Sequence, residues 1–246
     1  MTRWLVQLEG EHSDLEEFPR WFPDGDIYAI EENNSVYLVG SAFEKFSEAG
    51  HVHEAALQAV DELSAVIKLL WSSFRPPKVG HVFREDADGK RNGFVFLTGS
   101  ITVRAKARAT LTVSGAGQNQ KTPTQAQTLL SGSRTNVHLR TAMSIWADPL
   151  RTWPRLYRVL EEIERYLEKE DVHDAGLCSR HQRERFTRSA NDAEISGKDA
   201  RHALGKPGKS KPPKDPMNLS EATTFIGGLL QAVLRQAAKQ KPPSTS

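Results

Sequence analysis

Hydrophobic and polar residues alternate in short runs through the first half of the chain, and this alternation predicts β-strands. The first runs are RWLVQLE, DIYAI and SVYLVGSAF, and the last two are joined by EENN, which has the composition of a hairpin turn. Two later runs, KVGHVFRE and NGFVFLTGSITVRAKARATLTV, flank DADGKR, whose Asp-Gly pair favours a tight reversal. The last run is too long for one ordinary strand, so we expect it to bend or break at Gly99.

One amphipathic helix is predicted between these strands. Apolar residues recur at spacings of three and four from Ala56 to Phe74, which predicts a helix of about 20 residues. Pro76 and Pro77 end it, because proline lacks the amide donor and disfavours helical geometry in the residue before it. The fold class predicted for the chain is α+β: an antiparallel sheet with one packed helix over residues 1–113, followed by a helical domain.

The second half of the chain has helical periodicity. Three segments carry it: WPRLYRVLEEIERYLEKE, SRHQRERFTRSAN and MNLSEATTFIGGLLQAVLRQ. Asn218 and Glu221 have the spacing of an N-terminal cap for the last helix. We predict a linker with a short helix over 114–141, a helical domain over 142–238 with a basic proline-rich loop at 205–216, and a frayed tail at 239–246.

The composition is that of an ordinary globular protein, with 38% hydrophobic and 26% charged residues among 246. No run approaches the roughly 18 apolar residues of a membrane helix, and the amino terminus lacks the apolar core of a secretory signal. Cys178 is the single cysteine, which agrees with a reducing compartment. The sequence therefore predicts a cytoplasmic protein without a membrane partner.

Charge is distributed unevenly along the chain. Residues 1–60 hold twelve acidic and three basic side chains, a net charge of −9, whereas residues 179–214 hold ten basic and four acidic side chains, a net charge of +6. Such an asymmetry is typical of a protein with one polyanion-binding end. It is equally typical of a chain whose oppositely charged regions dock onto each other, onto further copies or onto a protein partner.

The strand run ITVRAKARATLTV carries three cations with a period of two: Arg104, Lys106 and Arg108. On a strand they are spaced by about 6.6 to 7 Å, close to the phosphate spacing of an extended nucleic-acid strand. Phe94 and Phe96 have the same parity, so a mixed aromatic and basic face is expected only if Gly99 introduces no phase slip. The alternative is the solvated face of an ordinary antiparallel sheet, where threonine and cations are common.

A second basic cluster lies in RFTRSANDAEISGKDARHA. Its charged residues can form a binding surface, or can fix a long loop to the helical core. The adjacent Arg201 and His202 are weak candidates for phosphodiester hydrolysis, since histidine moves protons near neutral pH and arginine neutralises phosphate. The predicted polyanion-binding residues are Arg104, Lys106, Arg108, Arg180, Arg183, Arg185, Arg188 and Arg201.

The run RFTRSAN, followed by DARHA, a basic spacer and PMNLSEATTFIGGLL, resembles the carboxy-terminal segment of a group of uncharacterised bacterial proteins. The resemblance covers residues 150–238 and implies no activity.

Sites for metals and cofactors are not predicted. GAGQNQKT has glutamine where a phosphate-binding loop needs its second glycine, and the clusters HVHE and DVHD lie at predicted helix ends, where such residues cap helices. The leading hypothesis is a non-enzymatic protein that binds nucleic acid through the basic segment and the cationic strand. The alternatives are a protein–protein adaptor or structural subunit, homo-oligomeric or in a complex, and a hydrolase that uses Arg201 and His202.

Overall fold

The computed structural model describes residues 3–97, 101–107, 122–168, 171–197 and 215–240. The chain forms two compact units, Met1–Gln127 and Thr128–Ser246. The first unit contains the strands and the second is helical in its described part, so the α+β class predicted from the sequence is confirmed.

A single antiparallel sheet dominates the first unit. Its strands among the described residues are β1 (Arg3–Glu9), β2 (Tyr28–Glu32), β3 (Ser35–Val39), β4 (Lys78–Glu85), β5 (Arg91–Leu97) and β6 (Ile101–Ala107). They lie in the order β2-β3-β1-β4-β5-β6, so β1 is inserted between two strands that follow it in sequence. The two predicted hairpin turns are confirmed: Asn33 and Asn34 join β2 to β3 with positive φ, and Gly89 lies in the β4–β5 turn.

Four helices accompany this sheet in the described part of the first unit: α1 (His12–Leu15), α2 (Glu17–Trp21), α3 (Ser41–Glu44) and α4 (Ala49–Leu70). The predicted amphipathic helix is α4, which contacts β1 and β4. The sheet side chains Val6, Leu38 and Val82 are fully buried and share one row of the register. Burial of this apolar face against α4 supplies the main driving force for the unit.

β3 ends at Val39, four residues before the end of the predicted β run. Gly40 has φ +140°, and a Cβ there would lie 2.2 Å from the carbonyl oxygen of Asp26. The chain therefore turns at a position that only glycine can occupy, and the following residues begin α3.

The opposite face of the sheet has a second, smaller core. Leu5, Tyr37 and Val39 are buried there, and Tyr28, Ile30 and Phe83 pack against them. This second apolar layer was not predicted from the alternating pattern, which assigns one face of each strand to solvent.

A network of two arginines and two glutamates lies on this second face. Arg3 Nε donates to Glu85 Oε1 at 2.9 Å and its Nη2 donates to Glu32 Oε1 at 3.1 Å. Arg91 Nε donates to Glu85 Oε2 at 2.6 Å, and Arg91 also pairs with Glu32. Glu32 and Arg91 belong to strands separated by three others, so the twist of the sheet brings distant corners together on this face.

The charges of this network stabilise one another. Burial opposes ionisation of Glu85, but the hydrogen bonds from Arg3 and Arg91 hold its pKa below the usual value. Burial likewise opposes the charge on Arg91, whose pKa is nevertheless raised by Glu32 and Glu85. All four charged side chains of the network are therefore paired on the second face of the sheet.

The second unit is helical in its described residues. The helices are α5 (Gln125–Arg134), which begins in the first unit, α6 (Val137–Ala147), α7 (Trp153–Tyr166), α8 (Arg180–Asn191), α9 (Ala193–Ser196) and α10 (Leu219–Lys239). The predicted cap of α10 is confirmed, because Asn218 and Glu221 form a reciprocal capping box. α5 and the start of α6 fall within 114–141, the segment predicted as a linker with a short helix.

Candidate nucleic-acid interface

Arg183, one of the predicted polyanion-binding residues, is engaged in ion pairs within the second unit. Its Nη2 donates to Glu164 Oε1 at 2.9 Å, and its guanidinium also pairs with Asp171. Burial disfavours the charged form of Arg183, but the nearby charge of Glu164 outweighs this effect and raises the pKa of Arg183. Arg183 therefore fixes α8 to α7 and to the segment that follows α7.

Arg185 lies on the other side of α8 and holds the start of α10. Its Nε donates to the Asp215 carbonyl oxygen at 2.7 Å, and its Nη2 reaches the Glu221 carboxylate at 3.3 Å. Glu221 is the residue that completes the capping box of α10. The side chain of Arg185 is 19% exposed, so its charge is used mainly to join two helices.

Two residues of the RFTRSAN run, Phe186 and Ser189, have structural roles in the helical core. The ring of Phe186 is fully buried and contacts Trp153, Tyr157 and Phe225. Ser189 is also fully buried, and its Oγ accepts a hydrogen bond of 2.9 Å from the Met217 amide. These contacts favour the interpretation that this part of the basic cluster serves as a scaffold.

Two predicted cations on α8 are exposed. Among the described residues, Arg188 pairs only with Glu184, one helical turn away at 3.4 Å, and Arg180 makes no ion pair. Exposed pairs of this kind contribute little stability and are readily exchanged for another anion. Arg108, Arg201 and His202 lie outside the described residues, so their predicted roles stay predictions.

The β5–β6 hairpin determines how the cationic strand is aligned. The backbone register pairs Asn92 with Lys106, Phe94 with Arg104 and Phe96 with Thr102. The long predicted run is therefore divided into two antiparallel strands that end at Leu97 and begin again at Ile101, and Gly99 itself lies outside the described residues. The position of Arg104 therefore lies directly across from the aromatic Phe94, and that of Lys106 directly across from the polar Asn92.

Aromatic side chains cluster around β5. The rings of Phe96 and His53 are stacked with centroids 4.3 Å apart, and Phe94 contacts Trp4 at 6.0 Å. Phe94, Phe96 and His53 are all partly exposed. Burial lowers the pKa of His53 despite the opposing charge of Glu54, which favours the neutral ring beside Phe96.

Arg84 adds an exposed cation to this cluster. Its guanidinium carbon lies 5.5 Å from the Trp4 ring centroid, and its backbone position pairs with both Trp4 and Asn92. Arg84 and His53 were not among the predicted site residues. Two signals pointed to them: Arg84 has the parity of the buried Val82 in KVGHVFRE, and His53 precedes Ala56 by one helical turn on the buried stripe of α4.

We define the β5 face as His53, Arg84, Phe94 and Phe96, together with the register positions Arg104 and Lys106. It combines partly exposed rings with cations on neighbouring strands. This is the combination by which sheets bind single-stranded nucleic acids, because bases stack on aromatic rings and phosphates pair with cations.

Other chemistry has little support in the described residues. No three metal-ligating side chains converge there, and the histidines of the two predicted clusters have other contacts: His53 stacks on Phe96, and His173 Nδ1 lies 3.2 Å from the Cys178 carbonyl oxygen. Burial raises the pKa of the Cys178 thiol, which disfavours the nucleophilic thiolate. None of the described helices is both long and apolar enough to cross a membrane.

The chain matches no protein-family model, no curated protein and no solved structure. The resemblance of residues 150–238 to the carboxy-terminal segment of a group of bacterial proteins therefore stays a prediction.

Proposed function

We propose that this protein binds single-stranded nucleic acid along the β5 face. The observation that carries the proposal is the hairpin register, which pairs Phe94 with Arg104. A base stacked at Phe94 would have the cationic position Arg104 directly across from it on β6, whereas Phe96 lies across from Thr102 and is only diagonal to Arg104. Arg84 provides a further charge on β4, the other neighbour of β5. Arg180 and Arg188, which are exposed on α8 of the second unit, are separate candidates for phosphate contacts.

Base stacking and phosphate contacts contribute separately to the expected binding free energy. Stacking of a base on an aromatic side chain contributes about 1 to 3 kcal/mol per base and tolerates any sequence. Each phosphate contact contributes about −0.7 to the slope of log K against log salt for single strands. Three cations, Arg84, Arg104 and Lys106, would therefore give a slope of about −2.

The test is fluorescence anisotropy with a labelled single-stranded oligonucleotide and the full chain over a salt series. The double variant Arg104→Ala, Lys106→Ala should weaken binding and make the salt slope shallower by about 1.4. Phe94→Ala should weaken binding at every salt concentration with little change in slope, because stacking is not ionic. Arg75→Ala is the matched control, since Arg75 is an exposed cation of the same unit whose one ion pair in the described part of the chain is with Glu11 at 3.8 Å.

If no oligonucleotide binds at low salt, or if Arg75→Ala weakens binding as much as the double variant does, the proposal is wrong. A stable complex with a protein or with further copies, without affinity for nucleic acid, would instead favour the adaptor function.

A further inference from the structure

Three arginines lie at the start of α7: Arg151, Arg155 and Arg158. Arg151 precedes the helix by two residues, and Arg155 and Arg158 are three residues apart, which makes them neighbours on one side of it. Asp148 is the sole carboxylate that pairs with any of them among the described residues. The cluster therefore has more positive than negative charge.

Arg151 is a half-buried cation. Its guanidinium carbon lies 4.4 Å from the Trp146 ring centroid, and its Nη1 donates to the carbonyl oxygen of Asp148. It has no carboxylate within ion-pair distance in the described part of the chain. Burial, together with the like charge of Arg155 and against the charge of Asp148, lowers the pKa of Arg151. A half-buried cation of this kind is stabilised by any anion that approaches it.

Within the described residues, Arg155 has two contacts, a 3.3 Å hydrogen bond from its Nη1 to the Leu150 carbonyl oxygen and one ion pair. It pairs with Asp148, and the two side chains are 37% and 40% exposed. The Asp148 carboxylate also accepts a 2.8 Å hydrogen bond from the Leu150 amide. The Asp148 carboxylate thus pairs with Arg155 while its carbonyl oxygen accepts from Arg151, and exposed ion pairs of this type are weak.

Two further groups near the cluster can donate hydrogen bonds. The indole N–H of Trp146 is buried and has no hydrogen-bond partner among the described residues, and its ring is the one that Arg151 covers. Thr152, the N-cap of α7, makes no side-chain hydrogen bond to the first turn of the helix. The Trp146 N–H and the Thr152 hydroxyl are therefore two donors near Arg151 that do not bond to Asp148.

We propose that Arg151, Arg155 and Arg158 form a binding site for a phosphate group, either inorganic phosphate or the terminal group of a phosphomonoester. The ligand displaces the Asp148 carboxylate from Arg155 and pairs with Arg151, whose guanidinium has fork-like donors suited to phosphate oxygens. This site lies in the second unit and does not depend on the nucleic-acid function proposed for the β5 face.

The experiment is isothermal titration of the full chain with inorganic phosphate, against sodium chloride of matched ionic strength. Arg151→Gln should weaken phosphate binding about tenfold or more, because a charge-assisted hydrogen bond is lost. Asp148→Asn should tighten binding about threefold, because it removes the competing carboxylate. Arg140→Gln is the control: Arg140 is an exposed arginine of α6 that contacts the Arg134 carbonyl oxygen, and its loss should leave binding unchanged.

The Asp148→Asn variant separates a binding site from a structural ion pair. If Asp148 only stabilises the loop, its removal would lower the melting temperature without tightening phosphate binding, and that result would overturn the proposal. Absence of phosphate binding at about 10 mM ligand would also overturn it. Competition by an oligonucleotide, lost in Arg151→Gln, would assign the phosphate to a nucleic acid, whereas competition by a phosphomonoester alone would assign it to a small metabolite; either result supports the site.

Discussion

Replacement of Arg91 by methionine tests whether the ion-pair network on the second face of the sheet stabilises the first unit. The side chain of Arg91 is 5% exposed and pairs with Glu85 and Glu32, so Arg91→Met leaves two carboxylates facing one remaining cation, Arg3. Removing one partner from a buried ion pair typically costs about 3 to 5 kcal/mol. Because Arg3 still contacts both carboxylates, we expect a loss near the lower end, about 3 kcal/mol.

The assay is urea unfolding of the full chain, followed by far-ultraviolet circular dichroism. Lys90→Met is the matched control, because Lys90 is exposed in the adjacent turn and should change the free energy of unfolding by less than about 0.5 kcal/mol. The loss in the free energy of unfolding caused by Arg91→Met should also depend on pH. The pKa of Glu85 is lowered in the folded chain, so its contribution is present above the unfolded value of about 4.3 and is lost as pH falls through the folded value.

The difference in the free energy of unfolding between the original chain and Arg91→Met should therefore shrink as the pH falls through the lowered pKa of Glu85. A loss no larger than that of Lys90→Met would refute the reasoning. A large loss that stays constant from pH 7 to pH 3 would show that packing of the Arg91 stem, rather than its charge, holds the second face together.

Three further predictions concern single residues. Gly132→Ala should destabilise the second unit by about 1 to 3 kcal/mol, because its Cβ would lie 2.0 Å from the Leu234 carbonyl oxygen, whereas Gly228→Ala, in open space on α10, should be neutral or stabilising in the same thermal melt. Phe186→Ala should cost about 3 to 5 kcal/mol in urea unfolding, and a loss below about 1 kcal/mol would contradict its role as the buried ring shared by three others. Burial lowers the pKa of His53, so folding should weaken as pH falls below about 6.5, and His53→Phe should flatten this part of the stability profile; an unchanged profile would contradict it.

The candidate site was only partly predictable. Period-two alternation identified Arg104 and Lys106 as neighbours on a strand, but their relation to Phe94 depended on where the chain reversed. A one-residue shift in the pairing of β5 with β6 would have placed the cations and the rings on opposite faces of the sheet. The arginines of α8 could not be sorted by sequence, because the partners of Arg183 and Arg185 lie 12 to 36 residues away along the chain.

The sequence by itself determined the local elements of this protein: the β2–β3 hairpin with its two asparagines, the amphipathic α4 and the capped α10. These depend on contacts between residues a few positions apart, which periodicity and capping patterns report directly. The tertiary structure alone decided the position of β1 between β3 and β4, the pairing of Arg91 with Glu32, and the division of the α8 arginines into paired and exposed ones. Those features depend on strand order, sheet twist and helix packing, which join residues that are distant in sequence and leave no periodic signal.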